Sequence, residues 1–400
     1  MQQSISKSLI LLLAAVYAMT PYAIDSYLPA IPIIATDFNV DTSMIAITVS
    51  MYILGMAIGQ LIGGPLSDRL GRQPVMTLGL LIFGVCSLML ALVESLEAFW
   101  FWRSLQAIGG GIAVVVVPAT IRDNAEGKEA AKLFSLVMLI MMIAPSIAPA
   151  IGTFIMMNSS WHWIFNSSAV LAIVVAISAF FIMPKQVKAA GVKSNASFKS
   201  VLKFAPARGY LVAQVFSYAV IITFITNAPF AYLVKFGISE TLFSGLFIAN
   251  VVGVVIINRL NTFWLNRFDA EQLLLAFLGL KVIGGLILVI SVLIMPHNLW
   301  LTASGFVICM AATGGTMSNA SVSFLKHFGK SAGTASALMG AMQFFFGAMI
   351  SGITALMLKD SLWPMVLVML GCSLIALIAT FKANNLNKNT SEIGTKQCFS

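Results

Sequence analysis

The chain has 400 residues, 59% of them hydrophobic and only 9% charged, with a formal net charge of +9. A soluble globule is roughly 25% charged, so this composition excludes a water-facing surface of ordinary extent and describes an integral membrane protein. At about 20 residues per crossing there is chain for about a dozen helical spans.

Apolar runs predict spans at 8–31, 43–66, 75–93, 98–121, 133–157, 162–183, 210–233, 241–261, 272–295, 299–320, 331–357 and 362–381. Lys7 leads into the first run without a cleavage site of small residues, so that run is read as a retained span. The basic residues are then distributed unequally. Lys7, Arg69, Arg72, Arg122, Lys128, Lys132, the lysines of 185–203, Arg208, Arg259, Arg267, Lys326, Lys330, Lys382, Lys388 and Lys396 fall on one side, with Lys235 and Lys359 on the other. By the positive-inside rule both termini are expected in the cytoplasm. The excess charge therefore reports orientation, and no nucleic-acid partner is expected.

The polar connection 185–208 splits the chain into two six-helix halves, 1–184 and 209–382, followed by a polar tail, 383–400, expected to be disordered. The halves resemble each other weakly: "GGPLSDRLGRQP" (63–74) and "INRLNTFWLNRFD" (257–269) are basic turns at corresponding places. Paired halves of this kind enclose a central cavity in many transporters.

Along the chain, "AMTPYAIDSYLPAIP" (18–32) places Asp25 inside the first span, with Pro29 and Pro32 after it. An ionisable group at membrane depth is costly and is a functional candidate by default. Tyr22, near the same face, and Tyr17, Met51, Tyr52, Met138 and Met142 are cavity candidates. In "GGPLSDRLGRQP", Gly63, Gly64 and Pro65 are expected to end a helix, and Asp68, Arg69, Gly71 and Arg72 to fill a tight turn. "RSLQAIGGG" (103–111) sets Arg103 and Gln106 on one helix face, at a depth matching Asp25, above a flat surface of glycines. In the fifth span Pro145 and Pro149 lie on one face and, with Gly152, would bend it. Lys281 stands about ten residues into the ninth span, ~15 Å deep, where it either faces the cavity or borders a water path. Gln343 is the polar group deep in the eleventh span.

Together, "AIDSYLPAIP", "GGPLSDRLGRQP", "RSLQAIGG", "APSIAPAIG" and "AGTASALMGAMQF" resemble the Bcr/CflA (bicyclomycin-resistance) branch of the drug:proton antiporters in the major facilitator superfamily. The resemblance implies an all-α, twelve-helix fold, alternating access, and export of a small molecule in exchange for protons. Asp25 then matches the acid associated with proton and substrate binding, and Arg103 the arginine of the fourth-span motif. Asp68 and Arg72 match a cytoplasmic gate, with Asp123 as partner. The antiporter motif keeps small residues and prolines, Ala144-Pro145 and Ala148-Pro149, but not its central glycines. Pro118 stands where many relatives carry a polar residue.

Other classes fit poorly. Cys86, Cys309, Cys372 and Cys398 show neither a disulfide framework nor a zinc spacing, and the histidines are dispersed. No cofactor or metal is expected. An enzyme would need convergent reactive groups at membrane depth, and a channel a ring of selectivity groups. The expectation is a monomeric carrier of the bacterial inner membrane, in contact with lipid, that binds a small-molecule substrate and protons. Uptake by proton symport, using the same acid, is the alternative.

Overall fold

The computed structural model describes residues 6–124, 144, 147–184, 198–328, 332–359 and 361–397. It is all-helical over these residues. In chain order the helices are α1 (Lys7–Asp25), α2 (Ile31–Asp37), α3 (Thr42–Leu70), α4 (Arg72–Leu90), α5 (Leu96–Val114), α6 (Val116–Asn124), α7 (Ile147–Asn158) and α8 (His162–Ile182). They continue as α9 (Phe198–Lys203), α10 (Ala205–Pro229), α11 (Glu240–Trp264), α12 (Ala270–Ile294), α13 (Leu299–Ala311), α14 (Thr313–Leu325), α15 (Ala332–Met357) and α16 (Trp363–Gln397). A 3₁₀ turn, Leu28–Ala30, joins α1 to α2, and a π-helical turn, Phe230–Lys235, follows α10.

Eleven stretches among the described residues are long and apolar enough to cross a membrane, and each matches an expected span. The remaining expectation, 133–157, lies partly outside the described residues; its described end is the shorter apolar helix α7. Helix starts follow local chemistry. The Ser6 hydroxyl accepts from Leu9 N–H, that of Ser95 from Ala98 N–H, and Asp269 with Gln272 forms a reciprocal capping box.

Two expectations need correction. Gly63-Gly64-Pro65 does not end the second span, because α3 continues to Leu70. Pro65 removes one backbone bond, which a helix end tolerates; the reversal instead needs the positive φ of Gly71, 97°. The tail does not depart from helix after residue 382 either. α16 continues to Gln397, held where Tyr210 Oη donates to Asn384 (2.7 Å) and accepts from Asn387 Nδ2 (3.0 Å).

The chain forms two compact units, Met1–Val192 with Tyr232–Ile248, and Lys193–Ala231 with Ala249–Ser400. In the first, Leu9, Leu12, Val16 and Met19 of α1 share a core with Val75, Met76, Leu80 and Phe83 of α4 and Val175, Ala176 and Ala179 of α8. Apolar side chains gain little by leaving lipid, so close backbone approach carries the packing. A Cβ on Gly59 would collide with the Ile108 carbonyl, one on Gly111 with Met56, and one on Gly109 with the Gly79 carbonyl. The "GGG" of α5 thus seats α3 on one side and α4 on the other. At one end of this unit Trp161 is 3% exposed among Phe38, Phe99 and Phe165, and its indole donates to Asp37 (2.6 Å). In the second unit, Tyr210, Leu211 and Val215 of α10 pack with Leu274 and Leu278 of α12, Phe324 of α14, Met339 of α15 and Ala376 of α16.

Candidate functional site

The first span is interrupted where the acid sits. α1 ends at Asp25; Ser26 N–H still bonds the Tyr22 carbonyl (3.1 Å), but Pro29 has no N–H to offer the Asp25 carbonyl. The chain turns through Leu28–Ala30 and resumes as α2. Asp25 is 3% exposed, and its buried Oδ1 has no hydrogen-bond partner. Ser26 is fully buried with its hydroxyl also unpartnered. Against this break lies α7: a Cβ on Gly152 would overlap the Ser26 carbonyl oxygen. The residue after the acid and the glycine of the fifth-span motif, separate in sequence, therefore meet at one backbone contact.

Arg103 is fully buried and is not ion-paired with Asp25. Its guanidinium donates to Gln106 Oε1 (2.7 Å) and to the Ala23 carbonyl (3.2 Å), one of the carbonyls left over where α1 stops. Tyr27, Tyr52 and Phe165 enclose it, at 4.3, 4.7 and 5.6 Å from their ring centroids. Gln106 passes the chain on to Ser87 Oγ (2.7 Å). Such stacking and hydrogen bonding keep a cation in a dry place. Arg103 therefore fastens the end of α1 from the fourth span and leaves Asp25 without a counter-charge.

A second constellation closes the α3–α4 turn. Arg72 Nε bonds Asp123 Oδ2 (2.9 Å), and its Nη1 bonds Asp68 Oδ1 (2.6 Å) and Ser67 Oγ (2.7 Å), tying the ends of the second and fourth spans to the start of the third. Arg69 is exposed and Gly71 makes the turn.

The other sequence candidates are dispersed. Tyr22 bonds Ser167 (2.6 Å) and borders a largely apolar pocket with Ala18, Ala148 and Leu171. Tyr17 packs on the first core, Tyr52 lies under Arg103, and Met51 is half-buried in α3. Pro149 is buried in α7, whereas Met138, Met142 and Pro145 lie outside the described residues. In the second unit Gln343 accepts from Gln214 (2.9 Å), and fully buried Lys281 reaches Thr316. Tyr27, Phe165, Ser87 and Ser26 were not singled out from the sequence. Each is an unremarkable residue in an apolar run and acquires its role only from the helix beside it. Among the described residues no cluster of three His, Cys, Asp or Glu side chains could hold a metal.

Apolar spans with a buried acid at a helix break, as the described residues show them, fit a membrane carrier. The chain belongs to the Major Facilitator Superfamily, whose sequence model matches residues 13–352. It is 29% identical over 396 residues to a bicyclomycin resistance protein homolog of Haemophilus influenzae, covering 96% of this chain and 98% of the relative. Multidrug resistance protein MdtL of Salmonella heidelberg is 27% identical, over 92% of this chain and 93% of its own. Among solved structures, the crystal structure of a D-xylose-proton symporter superposes with a TM-score of 0.75 at 16% identity, covering 94% of this chain and 96% of the other. At that identity the likeness shows the fold alone. The protein is a multi-pass transporter with drug-resistance relatives in bacteria, in keeping with the inner membrane.

Proposed function

We propose that this carrier exports a small molecule across the inner membrane in exchange for protons, with both termini in the cytoplasm, and that Asp25 is the group at which the two compete. The observation that carries this reading is the buried, unpartnered Oδ1 of Asp25 beside the break in the first span. A carboxyl group there is available to one occupant at a time, a proton or a polar group of the substrate. Arg103, engaged by Ala23, Gln106 and three rings, does not neutralise it. The resistance relatives support export, and the Arg72–Asp68–Asp123 cluster supports a gate on the cytoplasmic side. One proton moving inward through about 100 mV supplies about 2.3 kcal/mol, roughly a fifty-fold concentration ratio for an uncharged substrate.

The test is a vesicle assay with an imposed pH gradient, following internal pH as candidate antibiotics are added to the native protein and to Asp25→Asn. Substrate-driven proton release by the native protein, absent from the variant, is the expected result. An equal response from Asp25→Asn would overturn the role given to this residue. A proton flux in the same direction as the substrate would replace exchange by symport.

A further inference from the structure

Lys281 is the one lysine or arginine outside Arg103 that is fully buried among the described residues, and among them no ring lies over its ammonium. Its Nζ lies 3.4 Å from Thr316 Oγ1, a long contact and the single polar one it makes among the described residues. An ammonium has three donors to satisfy. The elements packed on α12 are α13, α14 and α16. From α13 the titratable group that faces Lys281 is Cys309, from α16 it is Cys372, and α14 offers only the Thr316 hydroxyl. No carboxylate among the described residues answers the charge.

The place matters as much as the solitude. The tenth span carries a one-residue interruption at Ala312, between α13 and α14 and just before Gly314 and Gly315; the residue stays helical, its N–H bonding the Ile308 carbonyl (3.1 Å) and its carbonyl the Thr316 N–H (3.0 Å). Lys281 holds both sides of this interruption. Its carbonyl accepts from Cys309 Sγ of α13 (3.3 Å), and its Nζ reaches Thr316 of α14. Gly284 permits the grip, since a Cβ there would strike Cys309, and a Cβ on Gly315 would strike the Phe277 ring.

We infer that Lys281 is a second proton-exchanging site, separate from Asp25, whose occupancy changes as the interruption in the tenth span opens and closes. The neutral amine leaves fewer donors unmet in the closed packing; the ammonium needs water, which enters only when α13 and α14 part. The step is the simple one: the amine lone pair takes a proton from water at the opened break, and returns it to water before the break closes. Because opening favours protonation, protonation favours opening, by reciprocity of linked equilibria. This rests on the proton-coupled reading above, but its test needs no substrate.

Spin labels at Ser304→Cys in α13 and Val322→Cys in α14, both exposed positions, would report across the interruption in the full chain, with Cys398 replaced by serine and the buried Cys86, Cys309 and Cys372 kept. Distance distributions would be measured by double electron–electron resonance between about pH 5.5 and pH 8.5. With Lys281 present, the populations are expected to shift with pH; in Lys281→Met and Lys281→Gln the shift is expected to vanish. A distribution that does not move with pH in the lysine protein, or that moves equally in the variants, overturns the inference. Asp25→Asn is expected to keep the shift while losing substrate-driven proton release. Failure of export with the shift intact would therefore fall on the proposed function, and the reverse on Lys281.

Discussion

Arg103 reaches the Ala23 carbonyl, two residues from Asp25, yet the two charges do not pair, and the reason is local. The guanidinium gives Nη1 to Gln106 and Nη2 to the Ala23 carbonyl and stacks among Tyr27, Tyr52 and Phe165, while its Nε has no partner. A lysine at this position would keep the charge but lose the planar fork and most of the stacking. Arg103→Lys is thus expected to cost ~1–2 kcal/mol of stability and to lower export by at least tenfold, read as a fall in thermal midpoint together with the vesicle assay. Equal stability and transport would show that the box is incidental. His327 lies just past α14, outside the spans, where burial and then Lys326 hold its imidazole below the usual range, with Glu271 pulling weakly the other way. The fold therefore favours neutral His327; that contribution is whole above about pH 6.5 and is lost as pH falls. His327→Gln should flatten the drop in thermal midpoint on acidification. At this scale the sequence made the ionisable groups visible, because charge in an apolar run is rare. It could not show their partners, since Tyr27 and Phe165 look like any aromatic residues until helices from distant parts of the chain bring them around Arg103.

Helices carry the next level of meaning. The twin features of the first span, an end at Asp25 and a restart after Leu28–Ala30, follow from prolines that withhold N–H groups. Replacing Pro29 by Ala should allow α1 to run on, give the Asp25 carbonyl a partner, and slow export while raising thermal stability. A faster or unchanged exporter would count against a role for the break. Gly152→Val tests the contact from the other side. Its Cβ would displace the Ser26 backbone, with an expected cost of ~1–3 kcal/mol and loss of export although Asp25 is untouched. Span positions were legible because apolar runs mark them directly. The ends at Leu70 and Gln397 were not. A proline looks like a terminator whether or not the helix can spare one bond, and a polar tail looks disordered until Tyr210 is seen to receive Asn384 and Asn387.

For the molecule as a whole, the membership in the Major Facilitator Superfamily was carried by a few dense motifs, "GGPLSDRLGRQP" above all, whose charges are in contact through Arg72. The side of the membrane that these charges occupy follows from the distribution of Lys and Arg rather than from any contact. A protease site appended to Ser400 should be cut in inside-out vesicles and protected in right-side-out ones. The opposite pattern would invert the orientation and move the Arg72 cluster to the outer face.

The aromatic cluster at the end of the first unit also makes this protein its own instrument. Trp161, dry among three phenylalanines and donating to Asp37, should emit toward the blue, whereas Trp163 and Trp300, at 57% and 65% exposure, look outward. Its partner Asp37 closes the very helix that follows the Asp25 break. Any movement of that helix that admits water would redden and dim one tryptophan among seven, so a working cycle could be watched in ordinary light, with no label attached.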